Sequence, residues 1–262
     1  MDIGIVGLGV VGKAVKAYHD SRGDEVWTYD IATDGAEALE ALDNNADVVF
    51  ICVGTPLGDD GKLDCSAVYD AVGNLTQKHT IIIKSTVMPG TTDAIQTKYP
   101  RHRVFFVPEF LDADTAVEDY ATPKRSFVVG TPASKTRTAE LLDAPIKASP
   151  VRLPMYCLDA REAELLKLAT NTFYAFRVVF ANMLFDLGMS QNGINAVFAN
   201  PRIGDWGCDV HHRGYRGAAG ACLSKDPIAF ATLLNESTNE ASTVLDAALA
   251  YNKHLVESTT KD

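Results

Sequence analysis

Cys222 closes the run Gly217-Ala218-Ala219-Gly220-Ala221-Cys222 and stands close to Lys225 and just before Asp226. A thiol near a helix N-terminus and an ammonium group is expected to be partly thiolate at neutral pH, as a nucleophile requires. The competing role is that of a small packing residue, which is the expectation for Cys52, Cys65, Cys157 and Cys208. Lys167 and Asn171 are spaced i, i+4, so on a helix they share one face and suit the holding of an oxyanion. A lysine snorkelling to solvent is the plainer alternative. Glu109 follows Pro108 at the end of the apolar stretch 104–107, where a carboxylate points into the ligand crevice of a doubly wound sheet and suits general base work. The run Gly7-Leu8-Gly9-Val10-Val11-Gly12 follows an apolar stretch and opens a helical one. In that context the glycines permit a tight turn, close approach to a pyrophosphate, and close helix–strand packing. Asp30, 18 residues after Gly12, suits the ribose hydroxyls of NAD and would repel the 2′-phosphate of NADP. Cys208, His211 and His212 lack a second Cys/His pair at ligand spacing, so no metal is expected.

The elements that must position these groups alternate. Residues 3–6, 25–29, 48–52, 80–84, 104–107 and 127–129 predict strands, and helical patterns such as 12–19 separate the first four. This is an α/β pattern of a Rossmann-like, doubly wound parallel sheet, assigned to a dinucleotide-binding domain over 1–155. The texture changes near 159. Asp159 with Glu162 forms a capping-box pattern that opens a helix reaching Leu187, where Gly188 stops it. Its apolar residues circle the axis, so it is expected to be buried on most sides, with a second copy of the chain as cover. A Gly-rich stretch (200–221), a helix opened by Asp226 and Pro227, and an amphipathic segment to His254 complete an all-helical dimerisation domain over 156–262.

Composition bounds the rest. The chain has 262 residues, 47% apolar and 22% charged, with a net charge of −10. That charge argues against nucleic acid or an anionic membrane surface as partner. Five scattered cysteines fit a reducing compartment, hence the cytoplasm. The apolar start has no basic flank to make it a signal peptide, and no apolar run of transmembrane length occurs.

Taken in order, Gly7 to Gly12, Val53-Gly54-Thr55-Pro56, Lys84-Ser85-Thr86-Val87, Pro108-Glu109-Phe110-Leu111, Pro123-Lys124-Arg125, Glu162-Ala163-Glu164 with Lys167 and Asn171, Arg202-Ile203-Gly204 and Gly220 to Asp226 resemble the UDP-glucose/GDP-mannose dehydrogenase family. The resemblance implies a homodimeric, NAD-dependent oxidation of a nucleotide-sugar primary alcohol to the carboxylate, with UDP-glucose to UDP-glucuronate as the default. It implies cofactor contacts from Gly7, Leu8, Gly9, Val10, Val11, Gly12, Asp30, Val53, Gly54, Thr55, Pro56, Ser85 and Thr86. Cys222 would capture the aldehyde as a thiohemiacetal and then a thioester, with Lys167 and Asn171 stabilising oxyanions. Glu109 would act as acid and base in thioester hydrolysis, and Asp226 and Thr86 would position groups and water. Phe110, Leu111, Gly217 and Arg202 would contact substrate, Arg202 that of the neighbouring subunit.

Ala218, Ala219, Ser224 and Ala113 depart from the family pattern. The motif series also ends where the family continues into a third, nucleotide-clamping domain, so a protein lacking that domain is expected. Two other readings are a β-hydroxyacid dehydrogenase, which leaves Cys222 idle, and a non-catalytic NAD-binding remnant that needs a partner chain.

Overall fold

The computed structural model describes residues 1–123, 127–136, 138–151, 154–201, 203, 210–212, 214–237 and 243–259. The chain divides into two compact units, residues 1–56 with 64–166 and residues 57–63 with 167–262.

The first unit is built on strands β1 (Asp2–Val6), β2 (Glu25–Tyr29), β3 (Val48–Ile51), β4 (Thr80–Ile83), β5 (Arg103–Phe106), β6 (Phe127–Thr131) and β7 (Met155–Asp159). Between them lie α1 (Val10–Arg22), α2 (Ala36–Asn45), α3 (Ser66–Gly73), α4 (Thr91–Lys98), α5 (Ala116–Ala121) and α6 (Ala139–Lys147). The sheet order is β2-β1-β3-β4-β5-β6-β7. Along a strand successive side chains alternate faces. Val49, Ile51, Ile81 and Ile83 therefore enter one core, while Val48, Phe50 and Ile82 enter the other. Runs of β-branched residues buried on both faces are what a helix-covered parallel sheet requires.

Two features depart from the all-parallel expectation. β6 runs antiparallel to β5, pairing Phe106 with Gly130, and β7 was not foreseen. The connection after β5 carries the six-residue α5, and the chain turns back so that β6 meets β5 at this one pair. β7 lies across the boundary expected at residue 155 and carries the sheet to Asp159.

The long helix α7 (Ala160–Asp186) begins and ends within a residue or two of the positions the sequence indicated, and Gly188 follows it at φ +89°. The division between the units falls after Leu166, inside this helix. The second unit continues with α8 (Gln191–Phe198), β8 (His211–His212), β9 (Tyr215–Arg216), α9 (Gly220–Leu223), α10 (Asp226–Ser237) and α11 (Thr243–Thr259). The β8–β9 ribbon means that this unit is not purely helical. Within it, segment 57–63 closes on itself through a Leu57–Leu63 bridge. The same segment attaches to α10, where Thr232 Oγ1 donates to the Gly61 carbonyl at 3.0 Å and Lys62 pairs with Glu236 at 2.6 Å.

Burial of α7 is one-sided. Leu168, Ala175, Val179 and Ala181 are buried, but Phe173, Phe180 and Met183 stay exposed in the single chain. Among the described residues no helix is long and apolar enough to cross a membrane.

Candidate active site

The glycine loop between β1 and α1 shows why each glycine is there. Gly7 sits at φ +93°, and a Cβ on it would lie 2.8 Å from the Cys52 carbonyl oxygen. A Cβ on Gly12 would stand 1.9 Å from the Gly7 oxygen, so only glycine permits this approach of helix to strand. Around Gly9 nothing lies within 4 Å of that position, leaving the main chain open to a ligand. Gly9 caps α1 with no side-chain hydrogen bond, and the first turn carries no acidic residue. The N–H groups and positive dipole end of α1 are therefore left for an anion. Leu8 and Val11 pack into the core beside Val15, while Val10 is exposed.

Asp30, next to the end of β2, accepts the Leu8 N–H at 2.6 Å and the Ala32 N–H at 2.9 Å. These bonds, Leu8 first, hold its carboxyl below the usual range. Asp30 thus shapes the glycine loop as well as offering a carboxylate beside it. An open glycine, an uncapped helix start and an ionised carboxylate together fit a dinucleotide.

The loops after β3 and β4 are tied to each other. Thr55 Oγ1 donates to the Thr86 carbonyl at 2.6 Å, and Ser85 Oγ donates to the Val53 carbonyl at 2.7 Å. Thr55, Ser85 and Thr86 are buried, while Gly54 and Pro56 are exposed. Glu109 follows β5 half-buried, and its Oε2 accepts the Leu111 N–H at 2.7 Å. Phe110 and Leu111 pack into opposite cores. Burial pushes the Cys52 thiol up to about 12, which leaves it a packing residue.

Sequence reasoning quoted Glu164 only as part of a motif and gave it no task. Its buried carboxylate accepts the N–H of Gly90 at 2.5 Å, and the N–H and hydroxyl of Thr92 at 2.8 and 2.6 Å. It therefore caps α4 from a different helix, with burial raising its pKa above the ordinary value. The available signal was its position one turn before Lys167 on the same face.

In the second unit Lys167 and Asn171 are buried, at 3% and 5% exposure, which excludes the snorkelling alternative. Asn171 Nδ2 donates at 2.5 Å to Asp226, which has no exposure, and Lys225 Nζ pairs with the same carboxylate at 2.8 Å. Cys222 is exposed on the short helix α9. The Lys225 pairing corrects the expected environment of this thiol, since the ammonium is compensated by Asp226 at the start of α10. Gly217 precedes the cysteine at φ +88°. Arg202, Lys124, Arg125, Gly204 and Cys208 lie outside the described residues. No group of three or more His, Cys, Asp or Glu residues able to hold a metal occurs among the described residues.

Comparison with known proteins bears on both units. Residues 32–144 match the NAD binding domain of the UDP-glucose/GDP-mannose dehydrogenase family, and residues 161–254 match the central domain of that family. The chain is 29% identical to the UDP-glucose 6-dehydrogenase of Rickettsia conorii over 265 residues, covering 95% of this chain and 59% of that one. It is 26% identical to the GDP-mannose 6-dehydrogenase of Pseudomonas putida, over 98% of this chain and 69% of that one. A UDP-glucose dehydrogenase from Pyrobaculum islandicum superposes with a TM-score of 0.77 at 27% identity, over 97% of this chain and 68% of that one. This chain thus spans 59% of the length of the Rickettsia relative. Two domain matches in the family's own order, over units that hold the glycine loop and the buried Lys167, Asn171 and Asp226, place this chain in the UDP-glucose/GDP-mannose dehydrogenase family.

Proposed function

We propose that the protein oxidises the primary alcohol of a nucleotide sugar to a carboxylate, with UDP-glucose to UDP-glucuronate as the first reaction to test. One observation carries this reading: in the second unit Asp226 is buried and bonded to both Asn171 and Lys225, just after the exposed thiol of Cys222. Such a set suits covalent oxidation of an aldehyde.

NAD, when bound, accepts a hydride in each of two oxidations. The open main chain at Gly9 and the start of α1 suit its pyrophosphate, and Asp30 suits its ribose. The alcohol carbon loses a hydride and its hydroxyl loses a proton to water, giving an aldehyde. The Cys222 thiolate then adds to the carbonyl carbon, forming a C–S bond and an alkoxide that Lys167 and Asn171 stabilise. Loss of a second hydride leaves a thioester. Water, deprotonated by Glu109, attacks the thioester carbon; the C–S bond breaks and the thiolate returns. Thr86 and Asp226 orient water and neighbouring groups, and Phe110, Leu111, Gly217 and Arg202 contact the substrate. A working thiolate suits the reducing cytoplasm.

The apolar residues left exposed on α7 support a homodimer under this reading. Phe173 and Phe180 stand seven positions apart at 61% and 50% exposure, the spacing of a helix–helix seam, with Met183 exposed beside them.

The deciding experiment mixes the protein with NAD and a panel of UDP-, GDP- and dTDP-sugars, following absorbance at about 340 nm, a property of the reduced cofactor. The expected result is two NADH per sugar, and no turnover after Cys222→Ser. One NADH per molecule, with Cys222→Ser fully active, would point to a single alcohol oxidation instead. NAD binding with no turnover on any sugar would overturn the reading.

A further inference from the structure

The segment carrying Cys222 is fixed at both ends by buried side chains of its own unit. At its C-terminal end stands Asp226, held by Asn171 and Lys225. At its N-terminal end stands Ala218, whose N–H donates to Asn252 Oδ1 at 2.6 Å and whose carbonyl accepts from Asn252 Nδ2 at 2.8 Å. A primary amide here does what a neighbouring strand would do, offering one acceptor and one donor to a single residue's main chain.

Asn252 interrupts an otherwise apolar stripe of α11, between the buried Leu245, Ala248 and Leu255. A polar group there is costly unless satisfied, and both of its polar atoms are satisfied by Ala218. The loop has been fitted to the clamp. A Cβ on Gly217 would lie 2.8 Å from Asn252 Oδ1, and Gly217 holds φ +88°. Gly220 on the other side holds φ +90°, so Ala218 and Ala219 are bracketed by two residues with little intrinsic stiffness. Beyond Gly220 the chain is knit locally: the Ser224 hydroxyl donates to the Gly220 carbonyl at 2.7 Å, and the Lys225 N–H to the Cys222 carbonyl at 3.2 Å.

We infer that Asn252 is a positioning residue for the reaction, setting where the Cys222 thiol stands by clamping the main chain at Ala218. The inference rests on the reading of Cys222 as nucleophile. Asn252→Asp tests it in the full chain, because it keeps the size of the side chain and the acceptor for the Ala218 N–H. An ionised carboxylate, however, turns an oxygen toward the Ala218 carbonyl, and protonation restores the donor.

Relative to wild type, Asn252→Asp should lose turnover about tenfold at pH near 8 and recover as pH falls toward about 4, where an aspartic acid takes up its proton. Asn252→Leu should lose it at every pH, and the NAD dissociation constant should be unchanged in both. A second readout needs no substrate: the rate of Cys222 alkylation by iodoacetamide, read on its peptide by mass spectrometry, should show the same pH-dependent ratio for Asn252→Asp. Wild-type turnover and alkylation at every pH, or a loss in Asn252→Asp that does not change with pH, would overturn the inference. If Asn252→Leu does not fold, the pH ratio of Asn252→Asp decides alone. Full activity of Cys222→Ser would remove the nucleophile reading, and the alkylation ratio would still report on the clamp.

Discussion

Asn171 reaches Asp226 across 55 positions of sequence, donating at 2.5 Å to a carboxylate with no solvent exposure. A buried carboxylate needs every partner it has, because its desolvation is offset only by charge-assisted hydrogen bonds. Lys225 supplies one and Asn171 the other, so the same pair that fixes α10 against α7 keeps an amide and a carboxylate beside the cysteine segment.

Asn171→Ala should therefore destabilise the fold by about 1–3 kcal/mol, the cost of leaving a buried acceptor short of a donor. A lowered Tm in scanning fluorimetry, with turnover also lost, is the expected outcome. An unchanged Tm would mean that the carboxylate finds water once the amide is gone.

Two glycines of the first loop should separate by mechanism. Gly12→Ala meets the Gly7 carbonyl oxygen at 1.9 Å and should lower Tm and abolish NAD binding together. Gly9→Ala meets nothing of the protein within 4 Å, so Tm should hold while NAD affinity falls, as read by fluorescence titration.

Asp43 predicts an acid limb of stability. Burial alone would raise its pKa, but hydrogen bonds from Thr76, His79 and the Gln77 N–H outweigh that and bring it to about 2, against 3.8 unperturbed. Because the folded value is the lower one, the stabilisation is complete above pH near 4 and disappears as pH falls through about 2. Asn in its place (Asp43→Asn) should remove about 2 kcal/mol at neutral pH and flatten the urea-unfolding profile between those limits.

Phe180, half exposed on α7, tests the seam between copies. Wild type should elute with twice the chain mass in light scattering, and Phe180→Asp should elute as a folded single chain. A wild-type protein that is already monomeric would remove the dimer.

The strands and the long helix were legible in the sequence because period and punctuation agree: β-branched runs between glycine turns, then a helical run closed by Gly188. The reversal at β6 and the late strand β7 were not: β6 meets β5 only through Phe106 and Gly130, a pairing that no local pattern marks, and β7 lacks the buried β-branched run by which the other strands were read. The site was legible where chemistry and spacing coincide, as at Gly7 to Gly12 with Asp30. Glu164 and Asn252 escaped because they bind main-chain groups, at Gly90 and Thr92 and at Ala218, which every residue carries and no pattern marks. Asn252 left one trace, a lone amide on the apolar stripe of α11. Lys225 misled for the opposite reason: its nearness to Cys222 in sequence was visible, and its pairing with Asp226 was not.

Segment 57–63 belongs with the second unit although first-unit sequence flanks it on both sides. The two units are consequently interlaced along the gene rather than placed end to end. Recombination between relatives at a single crossover near residue 166 would pair this seven-residue insert with a foreign α10, depriving Gly61 and Lys62 of the Thr232 and Glu236 they bind here. A working chimera would have to exchange the insert together with the C-terminal unit, so these two stretches are expected to be inherited as one.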